Sequence, residues 1–191
     1  MDSRSKLKLL GRALTAAGAL VLLFCGWQVW EAWRFQREAE RQLAARLAAP
    51  PAPQVRVPGL RPGDLVGRLQ IPRLHLSVMV VEGDGGRELR LGAGHIPQTA
   101  LPGFSGNVGI AAHRDTFFRP LRFIRPNDRI QITVPGAELR YRVESTEIVD
   151  PADVAVLGPS AHNELTLVTC YPFFYVGSAP MRFIVHARQV D

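Results

Sequence analysis

Cys170 is the residue of this 191-residue chain best suited to nucleophilic chemistry. It closes the apolar run Leu165-Thr166-Leu167-Val168-Thr169 and precedes Tyr171-Pro172, so a strand there delivers the sulfur to a strand-to-loop junction. Reactive groups favour such edges, because a rigid scaffold holds them where a substrate can reach. A thiolate that attacks a carbonyl needs a partner that exchanges a proton and a donor that stabilises the oxyanion. Five histidines are available for the first role: His75, His95, His113, His162 and His186. His75 and His186 fall inside strand patterns and read as surface or barrel-wall residues, and His162 lies in a polar loop beside Asn163. His95 and His113 remain. His113 is the better placed, since it ends the apolar run Val108-Gly109-Ile110-Ala111-Ala112 much as Cys170 ends its own.

Arg182 follows Cys170 by twelve residues, room for a loop and a return on a neighbouring antiparallel strand. It is a candidate for the same rim, with Arg114, Arg119 and Arg122 as rivals near His113. A wall arginine with a solvated head is the plain alternative, and spacing alone does not choose among them. Cys170 also has three readings on spacing alone: reactive thiol, inert buried cysteine, or half of an intermolecular disulfide. Cys25, the other cysteine, lies in an apolar stretch from which it cannot reach Cys170, and there it reads as a small apolar residue.

The elements that must position these residues read as strands. Seven runs rich in β-branched and aliphatic residues span Leu65–Ile71, Leu74–Val81, Asn107–Ala112, Arg129–Val134, Leu139–Val149, Leu165–Thr169 and Arg182–Arg188. Gly83-Asp84-Gly85-Gly86, Pro126-Asn127-Asp128 and Pro135-Gly136 punctuate them as turns. Arg87–Leu91 and Phe117–Ile124 are the candidate short helices, and neither is expected to carry an α/β crossover. The class is all-β, and many short strands hide their edges best in a closed barrel or a sandwich.

Ahead of this domain the chain is organised differently. From Ala13 to Trp30 it is nearly all apolar, about 27 Å as a helix and so close to the thickness of a bilayer core. Arg4, Lys6, Lys8 and Arg12 precede it, which by the positive-inside rule places residues 1–12 in the cytoplasm and the later domain outside. Trp27, Trp30 and Trp33 suit the far interface, giving an expected membrane segment at 13–33. A cleaved signal peptide would have small residues after the apolar run; here Glu31, Arg34, Arg37, Glu38, Glu40, Arg41 and Arg46 follow, the pattern of a helical stalk. Pro50, Pro51, Pro53, Pro58 and Pro62 then mark a semi-rigid spacer, so that 34–63 reads as stalk and linker and 64–191 as the globular domain.

The net charge of +6 belongs mostly to this N-terminal part. Residues 1–58 hold nine Lys and Arg against four acidic residues, and residues 59–191 hold fourteen against thirteen. A domain so nearly neutral, with no Lys/Arg run, lacks the electrostatic footprint of a nucleic-acid binder.

Three strings carry a family resemblance. TLVTCYPF from Thr166 to Phe173 closely resembles the active-site strand of sortases, which cut and rejoin sorting signals on bacterial surface proteins. GHIPQTALPG from Gly94 and GNVGIAAHRDTFFRPL from Gly106 resemble that family's histidine region, and YVGSAPMRFIV from Tyr175 its arginine strand. The order is histidine, cysteine, arginine, the reverse of papain-like proteases. The resemblance implies an eight-stranded closed β-barrel, with Cys170 as nucleophile, His113 as acid/base partner and Arg182 as orienting and oxyanion-stabilising group. It further implies an LPXTG-like substrate cut after threonine and an amine acceptor on the cell wall or another protein; no cofactor is expected, and no dense carboxylate cluster suggests a metal site. CYPFFYVGSAPMRF most resembles the class D subgroup. No aromatic lid motif precedes the barrel, which favours an anchoring role over pilus building. Two other readings stay beside this one: a non-catalytic, membrane-tethered β-domain, and an L,D-transpeptidase, whose Ser-His-Gly-Cys-like string is not found.

Overall fold

The computed structural model describes residues 3–48 and 59–190. The expected spacer lies outside the described residues from Ala49 to Pro58, as do Met1 and Asp2 of the basic tail.

Helix α1, Ser3–Ala48, runs unbroken through the expected membrane segment and the stalk. Its first part is apolar and uncovered, with Leu20, Val21, Leu22, Leu23 and Phe24 all exposed. It is the one helix among the described residues long and apolar enough to cross a membrane. Beyond Trp33 the same helix changes role. Phe35, Ala39 and Leu43 recur at four-residue spacing on one face, and that face packs on Leu65 and Met79 of the barrel. Gln36 fixes the register by accepting from the Met79 backbone N–H at 2.8 Å while its amide donates to the Leu91 carbonyl. Arg68 adds an ion pair to Glu40. The stalk is therefore a docked element.

Eight strands close into one barrel: β1 Leu65–Ile71, β2 Leu76–Glu82, β3 Ala93–His95, β4 Asn107–Ala111, β5 Arg129–Val134, β6 Ala137–Val149, β7 Glu164–Tyr171 and β8 Met181–Val190. Their order around the barrel is β1-β2-β3-β4-β7-β8-β6-β5, with β5 returning to β1. Closure leaves no open edge, which answers the problem posed by so many short strands. The thirteen-residue β6 makes it possible, because Ala137–Arg142 pairs with β5 and Arg140–Val149 with β8.

Inward-facing residues alternate along each strand: Val108 and Ile110 on β4, Leu165 and Leu167 on β7, Val185 and Ala187 on β8. Phe118, which caps the 3-10 turn Arg119–Phe123, and Leu121 within it are fully buried in the same core. Each such side chain contributes about 1.5–3 kcal/mol by leaving water. Tyr141 is also buried, and that burial pushes its phenol up to about 12.

Three expectations need correction. The eighth strand, β3, is only three residues long, too short to show a period of two in Ala93-Gly94-His95. It pairs in parallel with β2, and the connection passes through α2, Gly86–Leu91, so one of the two short helices does carry a crossover. A ten-residue link suffices because β3 needs to align only three residues. His75 lies outside any strand: it caps the 3-10 turn Pro72–Leu74 in a left-handed conformation, φ 50°.

Candidate active site

Cys170 and Arg182 are partners in the antiparallel register of β7 and β8. Directly paired residues project from the same face of a sheet, so the two side chains share one side. That side is the outside of the barrel, since Leu165 and Leu167 on β7 and Val185 and Ala187 on β8 occupy the inward parity. Cys170 is half-buried and forms no disulfide, which suits a reachable thiol better than an inert core cysteine.

His113 comes to this pair through β4. Parallel β4 and β7 are offset by 57 residues at every pair from Asn107↔Glu164 to Ala111↔Val168. The offset continues past the end of β4, where Ala112 donates its N–H to the Val168 carbonyl and the buried Thr169 hydroxyl donates to the Ala112 carbonyl at 2.7 Å. One step further it brings His113 level with Cys170. His113 also shares the outward parity of Gly109 and Ala111. Cys170 and Arg182 are thus paired on the outer face at the rim, and His113 lies two residues past the end of neighbouring β4, where the offset carried forward matches it to Cys170. His95 is excluded from this group: buried in β3, it contacts Glu82 through Nδ1 at 2.7 Å, and its Nε2 lies 3.0 Å from the Ala100 carbonyl.

The rival arginines have other work. Arg114 donates through Nη2 to the carbonyls of Tyr175 and Gly177, tying the β7–β8 connection to the end of β4. Arg122 is stacked against Phe123 and Phe174, and Arg119 is exposed. Arg182 uses Nη1 on the carbonyls of Met181 and Ala179, which directs its guanidinium at the start of β8.

Several positioning residues carry no sequence signal that stands out beforehand. Thr169 is one, an ordinary strand threonine whose buried hydroxyl sets the β4–β7 register beside the site. Thr166 and Asn107 are a second case: their buried side-chain hydrogen bond is 2.8 Å, and the Asn107 amide donates to Val156 and Gly158 in the β6–β7 connection. That connection crosses the outer face of β4 so closely that a Cβ on Gly109 would meet Leu157 Cδ2 at 2.9 Å, and Thr99 of the β3–β4 connection would be met at 3.0 Å. Away from the strands of the site, between β1 and β5, Arg73 holds Asp128 through both carboxylate oxygens. Those hydrogen bonds, opposed by burial and aided by the Arg125 N–H, keep the Asp128 carboxyl below the usual carboxylate range.

A closed eight-stranded barrel with Cys170 paired to Arg182 at its rim, and His113 just past the end of the neighbouring strand, suggests a class, and comparison with known proteins agrees with it. The family description "Sortase domain" matches residues 69–190. Sortase D of Bacillus subtilis (strain 168) is 34% identical over 129 residues, covering 67% of this chain and 65% of that protein. Sortase SrtE1 of Streptomyces coelicolor is 30% identical over 202 residues, covering 95% of this chain and 56% of that protein. Among solved structures, a Clostridium perfringens Sortase D5 transpeptidase superposes with a TM-score of 0.72 at 22% identity, covering 83% of this chain and 99% of that one. The chain belongs to the sortase family.

Proposed function

We propose that this chain is a membrane-anchored cysteine transpeptidase that cuts an LPXTG-like sorting signal after threonine and passes the acyl group to an amine at the cell surface. The observation that supports this reading most directly is the pairing of Cys170 with Arg182 at the rim, with His113 two residues past the end of neighbouring β4. The Cys170 thiolate attacks the threonine carbonyl carbon. Arg182 donates hydrogen bonds to the oxyanion, and protonated His113 gives its proton to the departing amine as the C–N bond breaks. The product is a thioester on Cys170. An acceptor amine then transfers a proton to His113, forms the new C–N bond and expels the thiolate, which completes two half-reactions. Water in place of the amine gives hydrolysis.

The N-terminal helix supports a single-pass anchor over about residues 13–33, N-terminus in the cytoplasm, with the barrel outside. From Trp33 to Leu43 the docked helix rises about 15 Å, which keeps the barrel close to the bilayer and confines enzyme and anchored substrate to one layer. Similarity to Sortase D favours the class D subgroup. The test is incubation of the full chain in nanodiscs with candidate sorting peptides and mass analysis of the trapped acyl-enzyme. Mass added at Cys170 supports the transpeptidase. A thiol that labels only after unfolding, with no acylation, would instead support a non-catalytic tethered domain.

A further inference from the structure

Between the 3-10 turns Pro72–Leu74 and Arg119–Phe123, at the rim that carries the candidate site, lies an open cleft of about 530 Å³. Arg73, His75, Arg119, Arg122 and Arg125 line it, and no Asp or Glu is in its wall among the described residues. Asp128 neutralises Arg73, whose Nη2 also donates to the Phe123 carbonyl. Among the described residues no ion pair involves Arg119, Arg122 or Arg125, so the cleft keeps an excess of positive charge.

Arg122 adds a second, independent observation. Its Nε and Nη1 are buried and have no hydrogen-bond partner among the described residues. Its guanidinium carbon sits 4.6 Å from the Phe123 ring centroid and 5.2 Å from that of Phe174. The rings hold the guanidinium and exclude water, yet they fill none of its N–H donors. Buried donors without acceptors cost free energy until an acceptor arrives, and a planar fork of N–H groups is matched by a carboxylate. Phe174, 76% exposed on the β7–β8 connection, is the side of this sandwich that can move aside.

The position of the cleft says which substrate would carry that carboxylate. The turn Arg119–Phe123 is tied to the candidate base, because the Phe118 N–H donates to the His113 carbonyl at 3.0 Å. In the reaction proposed above, the entering amine surrenders its proton to His113, so the second substrate approaches from this side. We propose that Arg122, with Arg119, binds a carboxylate borne by the amine acceptor, which makes the acceptor an amino-acid or peptide amine with a free carboxylate nearby. This rests on the transpeptidase reading for the identity of the ligand, and on the cleft alone for its charge.

The experiment uses the full chain in nanodiscs, preloaded as the Cys170 thioester so that effects on acylation drop out. Glycine, diglycine and triglycine compete as acceptors with their own amides, and mass spectrometry reads each aminolysis product. For the best spacing, the free carboxylate is expected to win by on the order of tenfold, the effect of one charge-assisted contact. Arg122→Gln and Arg119→Gln should each shrink the preference to about twofold or less, with Arg122→Lys between, because lysine supplies charge without the fork. Equal use of acids and amides by the wild type, or an undiminished preference in both glutamine variants, would overturn the proposal. A second measurement needs no catalysis: the Arg122 Nε resonance is followed during titration with N-acetylglycine and, separately, inorganic phosphate. Saturable movement with N-acetylglycine is expected. No saturation with either anion, or tighter saturation by phosphate, would overturn the carboxylate assignment. If no sorting peptide acylates Cys170 while N-acetylglycine still saturates Arg122, the anion site stands and the transpeptidase reading falls.

Discussion

Cys170 and Arg182 face one another across the β7–β8 ladder, the last-but-one pair before the strands part at the rim. Because the strands are antiparallel, their separation in sequence is absorbed by the β7–β8 connection, and Arg114 holds that connection by two of its carbonyls. The register is set far from the rim, by pairs running back to Glu164 and Arg188. A shift of either residue along its strand therefore requires the whole ladder to slip.

The three rim residues are expected to act as one unit. Cys170→Ala abolishes the thioester. His113→Ala lowers its formation about 10²- to 10⁴-fold through loss of the general acid. Arg182→Ala costs about 10²- to 10³-fold, with Lys a poor substitute, and the His113/Arg182 double variant falls less than the product of the singles. Acyl-enzyme mass and peptide cleavage, alongside thermal melts, read this out. Near-normal cleavage by folded Cys170→Ala would refute the mechanism, and normal activity in Arg182→Ala would move the oxyanion role to another rim arginine.

The docked stalk makes its own prediction. Gln36→Ala removes the acceptor of the Met79 N–H, and Leu43→Ala removes a fully buried contact, for which a loss of about 2 kcal/mol at the low end of leucine truncations is expected. Hydrogen exchange at Met79 should accelerate in both variants, with slow exchange kept in β7 and β8. Unchanged exchange at Met79 would mean that helix and barrel part freely in solution.

Acid sensitivity should trace to Asp128. Its carboxyl is held below the ordinary range by the hydrogen bonds from Arg73, so the stabilisation is complete above the unfolded carboxylate value of about 3.9. It is lost as pH falls further, through the lower folded value. Denaturant melts between pH 7 and 2 should show a steeper acid decline in wild type than in Asp128→Asn. Parallel curves would assign the decline to other groups.

Topology is open to protease. Added to intact spheroplasts, it should digest the chain from Gly59 onward and leave residues 1–12 protected. A protected barrel would reverse the orientation, and a mature form lacking residues 1–30 would replace the anchor with a cleaved leader.

Much of the barrel was legible in sequence because a two-residue alternation must appear wherever one face of a strand is buried. β1 and β5 were bounded to the residue, as Leu65–Ile71 and Arg129–Val134. β3 was not, for three residues cannot display a period. The helical character of residues 34–48 was readable from their charges, but not the docking of Phe35, Ala39 and Leu43, because an apolar stripe does not name the surface that covers it. The same division holds at the site. Sequence alone picked out Cys170 with its candidate partners His113 and Arg182, and gave their chain order and their resemblance to a family. Only the tertiary structure decided that an antiparallel pairing sets Cys170 against Arg182, that a 57-residue parallel offset runs β4 alongside β7 toward that pair, that His95 is spent on Glu82, and that Arg114 and Arg122 contact the β7–β8 connection. Register is a relation between strands far apart in the chain, set by the packing of a closed barrel, and no local pattern in any one of them contains it.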